Sequence, residues 1–265
     1  MTWTEFQGGS SAIVISKTTD GGAHWTAPAE ISSSLINDQG STVVVDKSGT
    51  VYVTFETFNG RFDAVAFAVS VDGGLTFTTR QIARIDDIPS PLPGATFRDD
   101  SFPALALDGT TLHIVWSNWN GSNADVVYMR STDGGGRWTT PVTIGGGAGD
   151  QFFPWVAAFK GKAYASWFNR SGGDGTYSIA AAASTNGGAG WTAPLTISSA
   201  NSNVLSGNQF SFPACQYSFI GDYSGITVDS SGVGHSLWTD IRSDQFDPST
   251  GGADQDPYTV TISAS

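Results

Sequence analysis

The sequence predicts an all-β fold, a β-propeller assembled from repeated four-stranded antiparallel blades. Three observations lead to this prediction. A glycine-rich turn recurs four times, an aromatic residue closes an apolar strand five times, and the two markers keep an almost constant spacing. The chain also contains 33 glycines among 265 residues and only 14% charged residues. Such a composition favours frequent turns over long helices.

The first marker has the pattern Ser/Thr-x-Asp-Gly-Gly-x-x-aromatic and occupies residues 18–25, 70–77, 131–138 and, with Asn for Asp, 184–191. In such a turn the glycines supply positive φ angles, and the aromatic ring packs between sheets. The side-chain oxygen of the third residue can accept backbone N–H bonds, whether it belongs to Asp or to Asn. We therefore predict a structural role for the third residue of each turn, namely Asp20, Asp72, Asp133 and Asn186.

The second marker is an aromatic residue at the end of an apolar strand, found at Trp3, Phe55, Trp116, Trp167 and Trp238. The first four precede the Asp or Asn of the following turn by 17, 17, 17 and 19 residues. Apolar alternation before the aromatic, as at 41–46 and 50–55, predicts a β-hairpin. A third strand such as 126–130 and a fourth such as 138–144 complete the blade. Proline within the fourth strand predicts that this strand is the outer edge.

The repeat predicts one propeller domain over residues 1–265 with about five visible blades. Unit one begins at its second strand, and unit five ends in its third. We therefore expect the native chain to extend upstream, or this sequence to be a fragment of a six-bladed ring. The predicted blades span approximately residues 1–33, 38–85, 98–146, 149–198 and 209–265.

The repeated turn resembles the Asp box, or BNR repeat, of the sialidase (neuraminidase) superfamily, and the resemblance covers nearly the whole chain. It implies a sialidase-like propeller that acts on glycans. It also implies a catalytic set of three arginines that grip the sialic acid carboxylate, a tyrosine nucleophile assisted by a glutamate, and an aspartate acid/base. The Arg-Ile-Pro signature of that family is interrupted here at residues 84–89. This departure favours a non-catalytic alternative.

The functional face of such a propeller is predicted where first strands begin and second strands end, because the Asp-Gly-Gly turns lie at the opposite face. Acidic residues are predicted to start the inner strands at Asp38, Asp100, Asp150 and Asp222. Long loops at 86–100, 198–222 and 242–257 are predicted to wall a pocket there. Polar residues also follow the inner aromatics by two positions, at Glu5, Thr57, Asn118, Asn169 and Asp240.

Glycoside hydrolysis needs two acidic groups, or a tyrosine in place of one, on either side of the scissile bond. The prediction for this chain is Tyr223 near Glu5, with Asp100 or Asp240 as acid/base. Guanidinium groups bind carboxylates through paired hydrogen bonds. We therefore predict substrate binding by Arg98, Arg170 and Arg242. The alternative is that these polar groups cap inner strands and bond across blades.

A calcium ion is a candidate cofactor, and no other is predicted. Oxygen ligands of the kind that calcium prefers crowd one loop, although their spacing matches no EF-hand and solvated loop acids are the alternative. These residues are Asp244, Asp247, Asp254 and Asp256.

The formal charge of -12 disfavours contact with nucleic acid. No apolar run reaches the roughly 20 residues of a membrane span, and the first residues lack the basic and apolar regions of a signal peptide. We predict an extracellular or periplasmic protein whose ligand is a glycan or a carboxylated sugar. It acts either as an exo-α-sialidase-type glycoside hydrolase or as a non-catalytic propeller that binds glycans or proteins. A protein partner would pair with the open blade edges at Trp3 and Tyr258.

Overall fold

The computed structural model describes residues 1–58, 60–171, 175–203, 220–221, 224–242, 246–247, 252–253 and 255–264. Within these ranges the chain forms β-strands and no helix. The first sheet contains β1 (Thr2–Gln7), β2 (Ser10–Ile15) and β3 (Ala29–Glu30). The second contains β4 (Asp38–Val45), β5 (Val51–Phe58), β6 (Asp63–Ser70) and β7 (Thr78–Ile85). The third contains β8 (Ala104–Asp108), β9 (Thr111–Trp119), β10 (Ala124–Ser131) and β11 (Val142–Gly145).

Two further sheets and one short hairpin complete the described chain. The fourth sheet contains β12 (Gln151–Phe159), β13 (Lys162–Asn169), β14 (Thr176–Ser184) and β15 (Leu195–Thr196), with β16 (Ser202–Asn203) also paired to β14. The fifth contains β17 (Gly225–Val228), β18 (Gly234–Asp240) and β21 (Asp256–Ile262). The hairpin joins β19 (Phe246–Asp247) to β20 (Gly252–Ala253).

Strands that follow one another along the chain pair antiparallel in each of these sheets, so the predicted all-β fold of four-stranded meanders is confirmed. The first strands of successive sheets lie close together, since β4 contacts β8, and β12 contacts both β8 and β17. Strand β1 contacts β4 as well. The first strands of the second to fifth sheets therefore lie next to one another, whereas β1, which contains Trp3, corresponds to the second strand predicted for unit one.

The core is divided among the junctions between neighbouring sheets, and each junction contains one of the inner aromatics. Phe55 packs with Ile13 between the first two sheets, and Trp116 packs with Phe67 between the second and third. Trp167 occupies the third junction and Trp238 the fourth. All four aromatics are at most 3% exposed. Burial of such large side chains in cores of native density is what holds the sheets side by side.

The Asp-Gly-Gly turns are closed by side-chain hydrogen bonds. In the second sheet, Asp72 Oδ1 accepts the backbone N–H groups of Leu75 and Thr76, each at 3.0 Å. Ser70 Oγ donates to Asp72 at 2.7 Å and accepts the N–H of Gly74 at 2.7 Å. These hydrogen bonds, led by that from Ser70, lower the pKa of Asp72. Asp20, Asp133 and Asn186 accept the equivalent backbone N–H of the fourth residue after them.

The fourth strand of the third sheet is shorter than the sequence predicted. Residues 138–144 were expected to form one strand, but β11 begins only at Val142. Thr139 instead holds this segment to the third strand, because its N–H donates to Arg130 O at 2.9 Å and its Oγ1 accepts the Arg130 N–H at 3.1 Å. Pro141 then interrupts the ladder, since proline has no N–H to donate. Thr26 and Thr192 make the same pair of bonds in their sheets.

Gly188 is expected to be the glycine least tolerant of substitution in the turn at 184–191. Its φ is +79°, and an added Cβ would overlap the hydroxyl of Tyr128, a buried residue bonded to His113 at 2.8 Å. Gly187 has a similar φ of +63° but more space. We expect Gly188→Ala to lower the free energy of unfolding by about 2–3 kcal/mol, through backbone strain and overpacking. Gly187→Ala should be destabilised by backbone strain alone and therefore by less. Equal losses of unfolding free energy in the two variants, measured by chemical denaturation, would contradict this interpretation.

Candidate functional site

A cavity of about 610 Å³ opens between the first strands of successive sheets. Aromatic side chains form much of its wall: Trp3 on β1, Phe102 before β8, and Phe153 and Trp155 on β12. Its polar lining includes three consecutive charged residues, Arg98, Asp99 and Asp100. Apolar walls with a few convergent polar groups are typical of small-molecule sites.

Two β-bulges shape this cavity. The pairing of β4 with β5 shifts register between Gln39 and Thr42, and the pairing of β12 with β13 shifts between Phe152 and Trp155. The intervening residues of both bulges line the cavity. Bulges bend a strand and re-aim its side chains, and they are common next to active sites. The second bulge places Phe153 at a φ of 50°, a conformation that costs a non-glycine residue free energy.

Gly40 permits the close contact between β4 and the segment before β8. Its φ is +66°, and an added Cβ would collide with the ring of Phe102. The bulge in β4 therefore requires glycine at this position, for its backbone conformation and for space. Phe102 is thereby held against β4 as part of the cavity wall.

Asp99 is the most unusual residue beside the cavity, because its side chain is buried. The residue is 1% exposed, and its Oδ2 accepts the N–H of Leu92 at 3.0 Å. Its Oδ1 is buried without a hydrogen-bond partner among the described residues. Burial raises the pKa of Asp99 to about 6. A carboxyl group with a raised pKa that lines a cavity is a candidate proton donor.

The structure brings only part of the predicted catalytic set to this cavity. Asp100 lines it and is partly buried. Glu5 is exposed on β1, where it accepts a hydrogen bond from Gln7 Nε2 at 2.8 Å, and is not part of the lining. Asp240 is buried at the end of β18 in the fifth sheet. Tyr223 lies outside the described residues, so its predicted role as nucleophile stays a prediction.

Two of the three predicted substrate-binding arginines are paired with aspartates of this chain. Arg170 Nη1 lies 3.1 Å from Asp150 Oδ2, and both side chains are 11% exposed. Its guanidinium also lies 5.7 Å from the centre of the Phe97 ring. Because Asp150 sits beside the first residue of β12, this pair joins an inner strand to the end of β13.

Arg242 forms a bidentate ion pair with Asp240. Its Nε donates to Oδ1 at 2.8 Å and its Nη2 donates to Oδ2 at 2.6 Å. Its guanidinium stacks 4.1 Å from the ring centre of Tyr258. Burial raises the pKa of Asp240, but the hydrogen bonds from Arg242, Trp238 and Ser202 outweigh burial and hold that pKa below its usual value. Of the three arginines, Arg98 is the one that lines the cavity.

Sequence reasoning did not select Asp99 as a functional residue. The available signal was its position between Arg98 and Asp100 at the end of the long predicted loop 86–100. Of the predicted calcium ligands, Asp256 is exposed at the start of β21. Asp244 and Asp254, and the side chain of Asp247, lie outside the described residues.

Across the described part of the chain, there is no helix with the length and apolar character needed to cross a membrane.

No protein-family model matches the chain. A xyloglucanase from Paenibacillus sp. is 30% identical over 133 residues, which make up 49% of this chain and 12% of that protein. The chain therefore spans a small part of the curated relative that it matches.

Comparison with solved structures shows the fold. The GH93 α-L-arabinofuranosidase of Fusarium graminearum, in complex with arabinobiose, superposes with a TM-score of 0.52 at 12% identity, over 84% of this chain and 62% of that chain. The NanB sialidase from Streptococcus pneumoniae gives a TM-score of 0.49 at 14% identity, over 95% of this chain and 36% of that chain. The predicted all-β fold of antiparallel blades is confirmed.

Proposed function

We propose that this protein binds neutral glycans in the cavity lined by Trp3, Trp155 and Asp99. The observation that carries the proposal is the combination, in one cavity, of an aromatic wall with a buried carboxylate oxygen that lacks a partner among the described residues. Sugar rings present apolar C–H faces, which pack on aromatic rings, and hydroxyl groups, which donate to carboxylates. The similarity to a xyloglucanase supports a neutral polysaccharide as the source of the ligand.

The pairing of the arginines favours a neutral sugar over sialic acid. Recognition of a sugar carboxylate requires free guanidinium groups, but Arg170 is held by Asp150 and Arg242 by Asp240. Among the described residues, the cavity wall also contains two acidic residues, Asp99 and Asp100, against one cation, Arg98, and this excess of negative charge disfavours a carboxylated ligand. Binding of sialic acid through Arg98, Arg170 and Arg242 is therefore the weaker alternative.

Isothermal titration calorimetry with xyloglucan oligosaccharides, arabino-oligosaccharides and sialyllactose tests the proposal. We expect a neutral oligosaccharide to bind at one site and sialyllactose to give no measurable heat. Binding of sialyllactose alone would contradict the proposal and support a sialidase-type site. If none of the three ligands binds, the alternative of a protein-binding propeller is favoured. A partner protein could then pair with the open edge of β1.

The Trp155→Ala variant is expected to weaken neutral glycan binding by about 30-fold, or about 2 kcal/mol, because a central aromatic contact is lost. Phe6→Ala is the matched control, since Phe6 is 71% exposed on β1 and does not line the cavity. Both affinities are measured by the same calorimetry, and circular dichroism checks that each variant is folded. Unchanged affinity in folded Trp155→Ala would place the glycan elsewhere.

Glycoside hydrolysis in the same cavity is the second candidate function. The observation that favours it is the juxtaposition of Asp99, whose burial raises its pKa to about 6, with Asp100. Hydrolysis requires one carboxyl group that donates a proton to the leaving oxygen and a second group on the other side of the bond. Asp99 is suited to the first role and Asp100 to the second.

Three finer predictions accompany this proposal. The Asp-Gly-Gly turns are proposed to be Asp boxes with a structural role, which their internal hydrogen bonds support. The protein is proposed to be secreted, because polysaccharide substrates occur outside the cell. The blade boundaries given above are proposed to delimit one propeller domain.

A further inference from the structure

We infer that Glu56, Asp63 and Asp87 bind a divalent cation, and that calcium is the ion that fits. These three carboxylates lie at one end of the second sheet, separate from the acidic loop that the sequence singled out. One oxygen from each lies within 4.8 Å of the others. Calcium is bound at 2.3–2.6 Å, so oxygens around one ion are separated by up to about 5 Å. The inference does not depend on the proposed function.

The register of the second sheet explains why the three side chains meet. Glu56 on β5 is paired with Val65, and Asp63 precedes Val65 by two residues on β6. Asp63 is paired in turn with Ile85 on β7, and Asp87 follows Ile85 by two residues. Residues two apart on a strand share a face of the sheet. Glu56 and Asp63 therefore share a face of the sheet. Asp87 lies just beyond the end of β7, and the proximity of the three oxygens shows that its carboxylate comes to the same side.

Glu56 is the observation that distinguishes this cluster from ordinary surface acids. Glu56 is only 9% exposed, and its carboxylate makes no hydrogen bond or ion pair with the described residues. Arg84, on the neighbouring β7, is paired with Asp86 at 2.7 Å. Burying a carboxylate without a partner is costly, whereas a bound cation compensates the charge.

The electrostatics of the cluster agree with this geometry. Burial, together with the smaller repulsion from Asp87, Asp63 and Asp100, raises the pKa of Glu56 to about 9. Burial and Asp87 also raise the pKa of Asp63. A divalent cation would reverse this repulsion and keep the carboxylates ionised. Because Asp100 also lines the cavity of the proposed glycan site, the cation would lie close to that site.

Calorimetric titration with CaCl2 after treatment with EDTA and dialysis tests the inference. We expect one site with a dissociation constant on the order of 10⁻⁴–10⁻³ M, as for extracellular calcium modules, and a rise in melting temperature. We expect MgCl2 to bind more weakly, because magnesium requires ligands at about 2.1 Å in a strict octahedron.

The Glu56→Gln variant is expected to weaken calcium binding by about tenfold or more, because one charged ligand is lost. Glu30→Gln is the matched control, since Glu30 is exposed on β3. Melting curves in EDTA verify that both variants fold. No calcium binding by the wild-type protein would overturn the inference. Equal affinity in wild type and Glu56→Gln would also overturn it, because the ion would then lie elsewhere, for example near Asp256.

Discussion

The Asp99→Asn variant is expected to hydrolyse a neutral oligosaccharide about 10²–10⁴ times more slowly than the wild-type protein, if hydrolysis is the function of the cavity. Asparagine keeps the shape of the side chain but cannot donate the carboxyl proton. With a pKa of about 6 for Asp99, the wild-type kcat/KM should fall as pH rises above about 6, because the donating form is then lost. Release of reducing sugar, measured from pH 4 to 8, provides both results.

Glu30→Gln is the control for this experiment, because it removes an exposed carboxylate that belongs neither to the cavity lining nor to the proposed cation site. A wild-type rate in Asp99→Asn, or an unchanged pH profile, would contradict the role of Asp99 as proton donor. Stability gives an independent check of its pKa. Because the folded-state pKa of about 6 is above the ordinary aspartate value of 3.8, the folded state binds the proton more tightly between these two pH values. The free energy of unfolding should therefore decline from about pH 4 to 6 in the wild type relative to Asp99→Asn.

The Asp240→Ala variant is expected to lose about 3–5 kcal/mol of stability, because it breaks a buried ion pair from one side. Asp240 is 2% exposed and accepts hydrogen bonds from Arg242, Trp238 Nε1 and Ser202 Oγ. Its removal leaves the Arg242 guanidinium, which is 16% exposed, without its counter-charge. Urea denaturation followed by tryptophan fluorescence measures the loss.

Asp86→Ala supplies the comparison for this prediction. Asp86 also pairs with an arginine, at 2.7 Å from Arg84, but both side chains are more than half exposed. Exposed pairs contribute about 0–1 kcal/mol, so this variant should be nearly as stable as the wild type. A loss in Asp240→Ala as small as that in Asp86→Ala would show that Arg242 is not held by Asp240. Arg242 would then be available for a ligand.

Much of the fold could be predicted because its determinants are local and repeat along the chain. The Asp-Gly-Gly turns need only neighbouring residues, as the bonds from Leu75 and Thr76 to Asp72 show. The alternation that led to the hairpin of β4 and β5 is likewise local. The fourth strands were less predictable, because Pro141 and Thr139 end the regular ladder before β11 begins.

The site was harder to predict because it depends on contacts between distant segments. Asp100 was predicted to start an inner strand, and it lies in the cavity lining four residues before β8 begins at Ala104. The same reasoning could not reveal that Arg170 pairs with Asp150, 20 residues away, or that Ser202 joins Asp240 across 38 residues. A β-bulge also could not be predicted from single residues, because the register shift at Phe153 is defined by the pairing of β12 with β13. The side-chain pairs determine which charged groups are available to bind a ligand.

The most direct test of the central claim is a crystal structure of this protein with a neutral xyloglucan oligosaccharide. The account predicts a sugar ring packed on Trp155 or Trp3, with a hydroxyl group within hydrogen-bond distance of Asp99. A sugar bound away from this cavity, with no density between Trp3 and Trp155, would contradict it.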